Sequence, residues 1–234
     1  MSATSHDTRR RGCALALMAA PGITLAASLV QQSPSAHDTT SELASIASSP
    51  GRAELSAALG FAALVLMVPA LFGLARPLWS DRPRWALTGL SLGVVGVMAL
   101  TALMGSAPVT VAMVAGSADR AEMVALTDRY EGAALTTVWV LLMLLGYLLG
   151  PIVLGVAWWR QSGQWLVPAA LLAGLVVQMA DAGRWPLAAG YALTWLGLAA
   201  AGARLWSGFV DRPLDPERRA DRLEGEPVDT QAGG

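Results

Sequence analysis

The chain of 234 residues contains no lysine and no asparagine, one cysteine and two histidines. Each scarcity removes a class of chemistry. Without asparagine there is no acceptor for N-glycosylation. Cys13 alone forms no internal disulfide, no CxxC redox pair and no thiolate zinc site. His6 and His37 both fall outside the long apolar segments, so no haem or metal within those segments rests on imidazole. Charged residues make up 14% of the chain, against about a quarter in an ordinary soluble domain. All 16 basic residues are arginines and the formal net charge is -1, which excludes a strongly basic nucleic-acid binder. The codons of the two missing residues are AT-rich, so their absence points to a GC-rich bacterial genome.

What the chain has is apolar length, with 54% hydrophobic residues. Residues 132–159 run for 28 positions without a charge and are closed by Arg160. As a helix this stretch would reach ~42 Å at ~1.5 Å per residue, more than the ~30 Å hydrocarbon core of a bilayer. It must therefore tilt, bend at Gly150-Pro151 or project from the membrane. Similar runs predict an all-α polytopic bundle of six transmembrane helices, at 12–30, 55–75, 85–104, 132–159, 164–180 and 185–203. A polar tail at 1–11 and a flexible tail of mixed charge at 207–234 flank it, both expected in the cytoplasm. Arg9-Arg10-Arg11, the apolar run behind them and the small residues near Pro34-Ser35-Ala36 also fit a secretory signal peptide. That run exceeds the ~7 to 15 residues of an ordinary signal core, which favours an uncleaved helix.

Two external loops complete the outline. Residues 31–54 are rich in Ser, Thr and Ala, with a short surface helix near 41–48. Residues 85–118 carry no charge for 34 positions, too many for one straight crossing, and divide at 105–108. The loop 105–131 then lies across the outer mouth, where Met123, Leu126 and Tyr130 recur at helical spacing as the apolar face of an amphipathic cap. The turns at 160–163 and 181–184 are so short that helices four, five and six must be sequential antiparallel neighbours.

Arginine distribution orients the bundle. With both termini inside, Arg9, Arg10, Arg11, Arg76, Arg82, Arg84, Arg160, Arg204, Arg212, Arg218, Arg219 and Arg222 are cytoplasmic, 12 in all, against 4 outside: Arg52, Arg120, Arg129 and Arg184. Trp79, Trp85, Trp158, Trp159, Trp165 and Trp206 fall at the inner interface in the same arrangement.

Few motifs suggest chemistry. Gly89-Leu90-Ser91-Leu92-Gly93 spells the G-x-S-x-G of serine hydrolases, but that elbow needs a strand before it, and the apolar segments supply no base for Ser91. The same residues read better as packing. Gly89 and Gly93 form a G-x-x-x-G face on helix three, Gly146 and Gly150 another on helix four, and the two fall at one depth where the helices can cross closely. Asp128-Arg129-Tyr130 matches a tripeptide of seven-helix receptors in the wrong place, and reads as a solvated turn. Asp128, Glu131, Thr136, Gln178, Asp181, Arg184 and Tyr191 gather toward the outer surface as a candidate polar pocket. Alternatively, Asp181 pairs with Arg184 across its turn while Gln178 makes an interhelical hydrogen bond. No ionisable side chain sits near the midplane, where pumps and transporters place theirs.

Three phrases carry a resemblance: Ala58-Leu59-Gly60 through Gly73-Leu74-Ala75-Arg76, Ala125-Leu126-Thr127-Asp128-Arg129, and Leu145-Gly146-Tyr147-Leu148-Leu149-Gly150. In these the chain resembles multi-pass plasma-membrane proteins of high-GC actinobacteria, a group with no assigned activity or catalytic residues to carry over. The expectation is a non-enzymatic membrane protein without metal or cofactor, acting through association, sensing or a structural role. Its partners are the lipid bilayer and a second copy or another membrane protein, with no nucleic acid. A small-molecule transporter using the outer pocket is the alternative.

Overall fold

The computed structural model describes residues 3–30, 39–115, 119–179 and 184–207, and among them every regular element is a helix. In chain order these are α1 (Ala3–Val30), α2 (Thr39–Ser48), α3 (Pro50–Ala75), α4 (Leu78–Asp81), α5 (Pro83–Met104), α6 (Ala107–Ala115), α7 (Arg120–Glu131), α8 (Ala134–Met143), a π turn (Leu144–Leu148), α9 (Leu149–Ser162), α10 (Leu166–Met179) and α11 (Arg184–Trp206). Among the described residues, five stretches are long and apolar enough to cross a membrane: Thr8–Val30, Pro50–Ala75, Pro83–Val114, Ala134–Ser162 and Trp185–Trp206. The composition is that of a multi-pass membrane protein. The expected fifth crossing at 164–180 is represented by α10, whose 14 residues reach only ~21 Å.

Both expected external loops are largely helical. Pro50 in the first turn of α3 has no amide to leave unpaired, so that helix starts at Pro50 rather than at 55. Before it, α2 covers the short helix expected near 41–48. At the second loop the chain turns at Gly105 and Ser106, then resumes as α6, where Pro108 again sits in a first turn. Asp119 caps α7 by accepting from the Ala121 amide at 3.0 Å.

The long helices close a circuit. α1 packs against both α3 and α11, α11 against α10, and α10 against α9. The segment α8, π turn and α9 packs along α5, which returns to α3. Helices four, five and six are thus sequential neighbours, as their short turns dictate. The turn after α9 is made by Gly163, whose φ of 72° is left-handed and cheap only for glycine; its amide caps Trp159 O at 2.7 Å.

Packing is uneven along the bundle axis. The largest fully buried side chains, Trp158, Leu17, Leu74, Leu78, Leu154, Leu205 and Val167, cluster in the half that holds the start of α1 and the end of α11, called proximal below. Trp158, expected at the interface, is buried there, and its indole Nε1 has no hydrogen-bond partner among the described residues. Trp79, Trp85, Trp159, Trp165 and Trp206 remain exposed around it. Arg160 stacks over Trp85 at 5.5 Å and Arg11 over Trp206 at 5.6 Å. On the outside of the bundle, Val65, Met98 and Leu135 are each more than 60% exposed, the apolar surface that a lipid-facing helix presents.

Candidate functional site

At the distal end, opposite the packed half, α2, the start of α3, the α5–α6 joint and α7 enclose a chamber of about 470 Å³. Ligand pockets are typically ~300 to 1,000 Å³. The sequence pattern explains its roof. Met123, Leu126 and Tyr130 share one face of α7, as the helical spacing predicts, and all three line the chamber. Met123 is buried, while Leu126 and Tyr130 stay partly open. α7 is tied twice near its C-terminal end. The Thr39 hydroxyl donates to Asp128 Oδ1 at 3.2 Å, and the buried Thr136 hydroxyl donates to Tyr130 O at 2.6 Å, joining α7 to the start of α8. Arg52, Glu42 and Glu131 are the charged groups of the described wall.

A second, much smaller cavity of about 40 Å³ lies between the long helices. Thr24 and Pro21 of α1, Tyr147 of the π turn, Pro151 of α9, Gln178 of α10, and Tyr191 and Thr194 of α11 reach it. Its size suits one or two waters rather than an organic ligand. Gln178 Nε2 donates to Thr194 Oγ1 at 3.1 Å, and Thr194 Oγ1 donates to Gly190 O at 3.0 Å, so the polar groups are satisfied across the α10–α11 contact.

That contact and the one between α5 and the π turn are built on glycine. A Cβ on Gly150 would fall 2.5 Å from Gly93 Cα, and one on Gly146 would fall 2.6 Å from Gly96 Cα. Gly89 belongs to the same face one turn away, where a Cβ would meet the Leu154 side chain at 2.6 Å. Gly96 continues the i, i+4, i+7 series 89, 93, 96, a signal present in the sequence once the face is followed one turn further. The π turn sits at this point of closest approach. Between α10 and α11, Gly174 approaches Thr194 and Gly190 in the same manner.

The seven residues expected to form one outer pocket are divided. Glu131 lines the distal chamber, Asp128 is exposed beside it, and Thr136 pins its roof. Gln178 and Tyr191 belong to the central cavity. Asp181 and the side chain of Arg184 lie outside the described residues. Residue depth along a helix is readable from sequence, whereas the direction each side chain takes around the axis depends on which neighbour the helix meets. Ser91 is exposed on the outside of α5, away from both cavities, and Arg129 is exposed on α7. Among the described residues no cluster of His, Cys, Asp or Glu has the makings of a metal site. In comparisons with protein-family models, curated proteins and solved structures, nothing matches the chain.

Proposed function

We propose that the protein is a non-enzymatic integral protein of the bacterial plasma membrane that senses or associates at its outer face by receiving a ligand or partner in the distal chamber. In this reading α10 is a sixth crossing and both termini are cytoplasmic, with the packed half inside and the chamber outside, as the 12 to 4 arginine distribution supports. The chamber's volume of about 470 Å³ is the observation that carries the reading. The cavity between the long helices holds about 40 Å³, which suits reception at one face better than a through-path. The polar lining of that inner space, with Tyr147, Gln178 and Tyr191, favours the second reading, a small-molecule transporter that opens it.

Thiol accessibility separates the two. In a Cys13→Ser background, Thr127→Cys in the chamber wall labels with an impermeant reagent in intact cells, whereas Tyr147→Cys, Gln178→Cys and Tyr191→Cys stay protected. Labelling that reaches Tyr147→Cys would replace the receiving role with transport. Protection of Thr127→Cys would remove the outer chamber.

A further inference from the structure

Five hydroxyls of the distal chamber's wall have their protons engaged. Ser56 donates to Ala27 O at 3.2 Å, Ser106 to Leu103 O at 2.9 Å, Thr110 to Ser106 O at 3.2 Å, and Thr127 to Met123 O at 3.0 Å. Thr39 is turned toward Asp128 in the same way. Each of these five hydroxyl oxygens keeps lone pairs for a guest, beside the donors of Arg52 and the Tyr130 hydroxyl. Glu42 and Glu131 add carboxylates against the single guanidinium of Arg52, leaving the described wall with one net negative charge. Tyr130 supplies an aromatic ring, whose face attracts cations. The remaining surface is soft and apolar: Met104, Met113 and Met123 contribute polarizable thioethers that adapt to irregular shapes.

An apolar body fits the methionines, and a positive centre fits the acceptor-rich, net negative rim. We infer that the chamber binds an amphiphilic organic cation, of the hydrophobic ammonium or phosphonium class, in preference to an anion of the same shape. The inference rests on the chamber being a receiving site. A neutral amphiphile would gain only the burial. An anionic one would meet a set of lone pairs and the net negative charge of Glu42, Glu131 and Arg52, which stand exposed at the chamber's edge.

The test uses the full chain in phosphatidylcholine nanodiscs and two ions nearly identical in size and shape, tetraphenylphosphonium and tetraphenylborate. Binding is measured by equilibrium dialysis against empty nanodiscs, so that partition into lipid is subtracted. The expected result is saturable one-site binding of tetraphenylphosphonium. The Glu42→Gln/Glu131→Gln double variant weakens it about tenfold, Arg52→Gln tightens it, and Ala53→Trp, which fills the wall, abolishes it with the melting temperature retained. Preference for tetraphenylborate would overturn the cation assignment while leaving the chamber as a receiving site. Saturable phosphonium binding indifferent to all of these variants would place the ion elsewhere and overturn the inference. If neither ion binds saturably, the cation inference falls, while the receiving role still stands or falls with the labelling of Thr127→Cys.

Discussion

A Cβ placed on Gly96 would meet the backbone nitrogen of Tyr147 before any other atom, and the carbonyl carbon of Gly146 next. α5 and the π turn therefore touch backbone to backbone. No side chain stands between them to give way.

This distinguishes glycines that look alike in sequence. Gly96→Ala and Gly150→Leu should each lower the melting temperature of the detergent-solubilised protein, by the ~1 to 3 kcal/mol or more that overpacking costs. Gly89→Ala should cost less, because its nearest neighbour is a side chain, that of Leu154 at 2.6 Å, and not backbone. Equal melting temperatures for Gly96→Ala and Gly89→Ala would refute the backbone contact.

The hydrogen bond from Gln178 to Thr194 can be weighed by a double-mutant cycle. Gln178→Leu and Thr194→Val each remove one partner, and the coupling between them should be about 0.6 kcal/mol, as for other interhelical bonds in membranes. A coupling of zero would mean that both groups find other partners in the central cavity.

Thr136 holds the roof of the chamber without lining it. Thr136→Val removes the hydroxyl that reaches Tyr130 O at 2.6 Å, so amide exchange in α7 should accelerate while exchange in α9 stays unchanged. Unaltered exchange across Arg120–Glu131 would show that the Asp119 cap and the Thr39 contact suffice to hold the roof.

Apolar length made the helices legible, and glycine spacing made the α5 crossing legible, because both are local properties of the chain. The expected loops became helices because uncharged residues such as 107–115 carry no signal against helix, and a proline in a first turn costs nothing. The chamber was hidden for another reason. Its wall joins Thr39, Ser56, Thr110 and Tyr130 from four separate helices, and no spacing in the sequence reports that meeting. Gln178 and Glu131 had comparable distances from the outer ends of their helices, yet they face different spaces.

The Trp195 indole donates to Met18 O at 2.9 Å across a separation of 177 residues. Met18 adjoins Leu17, the carbonyl that Pro21 deprives of its intrahelical donor, and a Cβ on Gly202 would touch Ala14 and Met18 from the same side. These contacts are the closure of α11 on α1. A chain emerging from the ribosome makes α1 well before α11, so the face of α1 around Met18 waits in the membrane until α11 has been made. During that interval it is held by α3 alone, by lipid or by the insertion machinery. A nascent chain stalled before α11 therefore carries an open flank on α1, which the arrival of α11 covers.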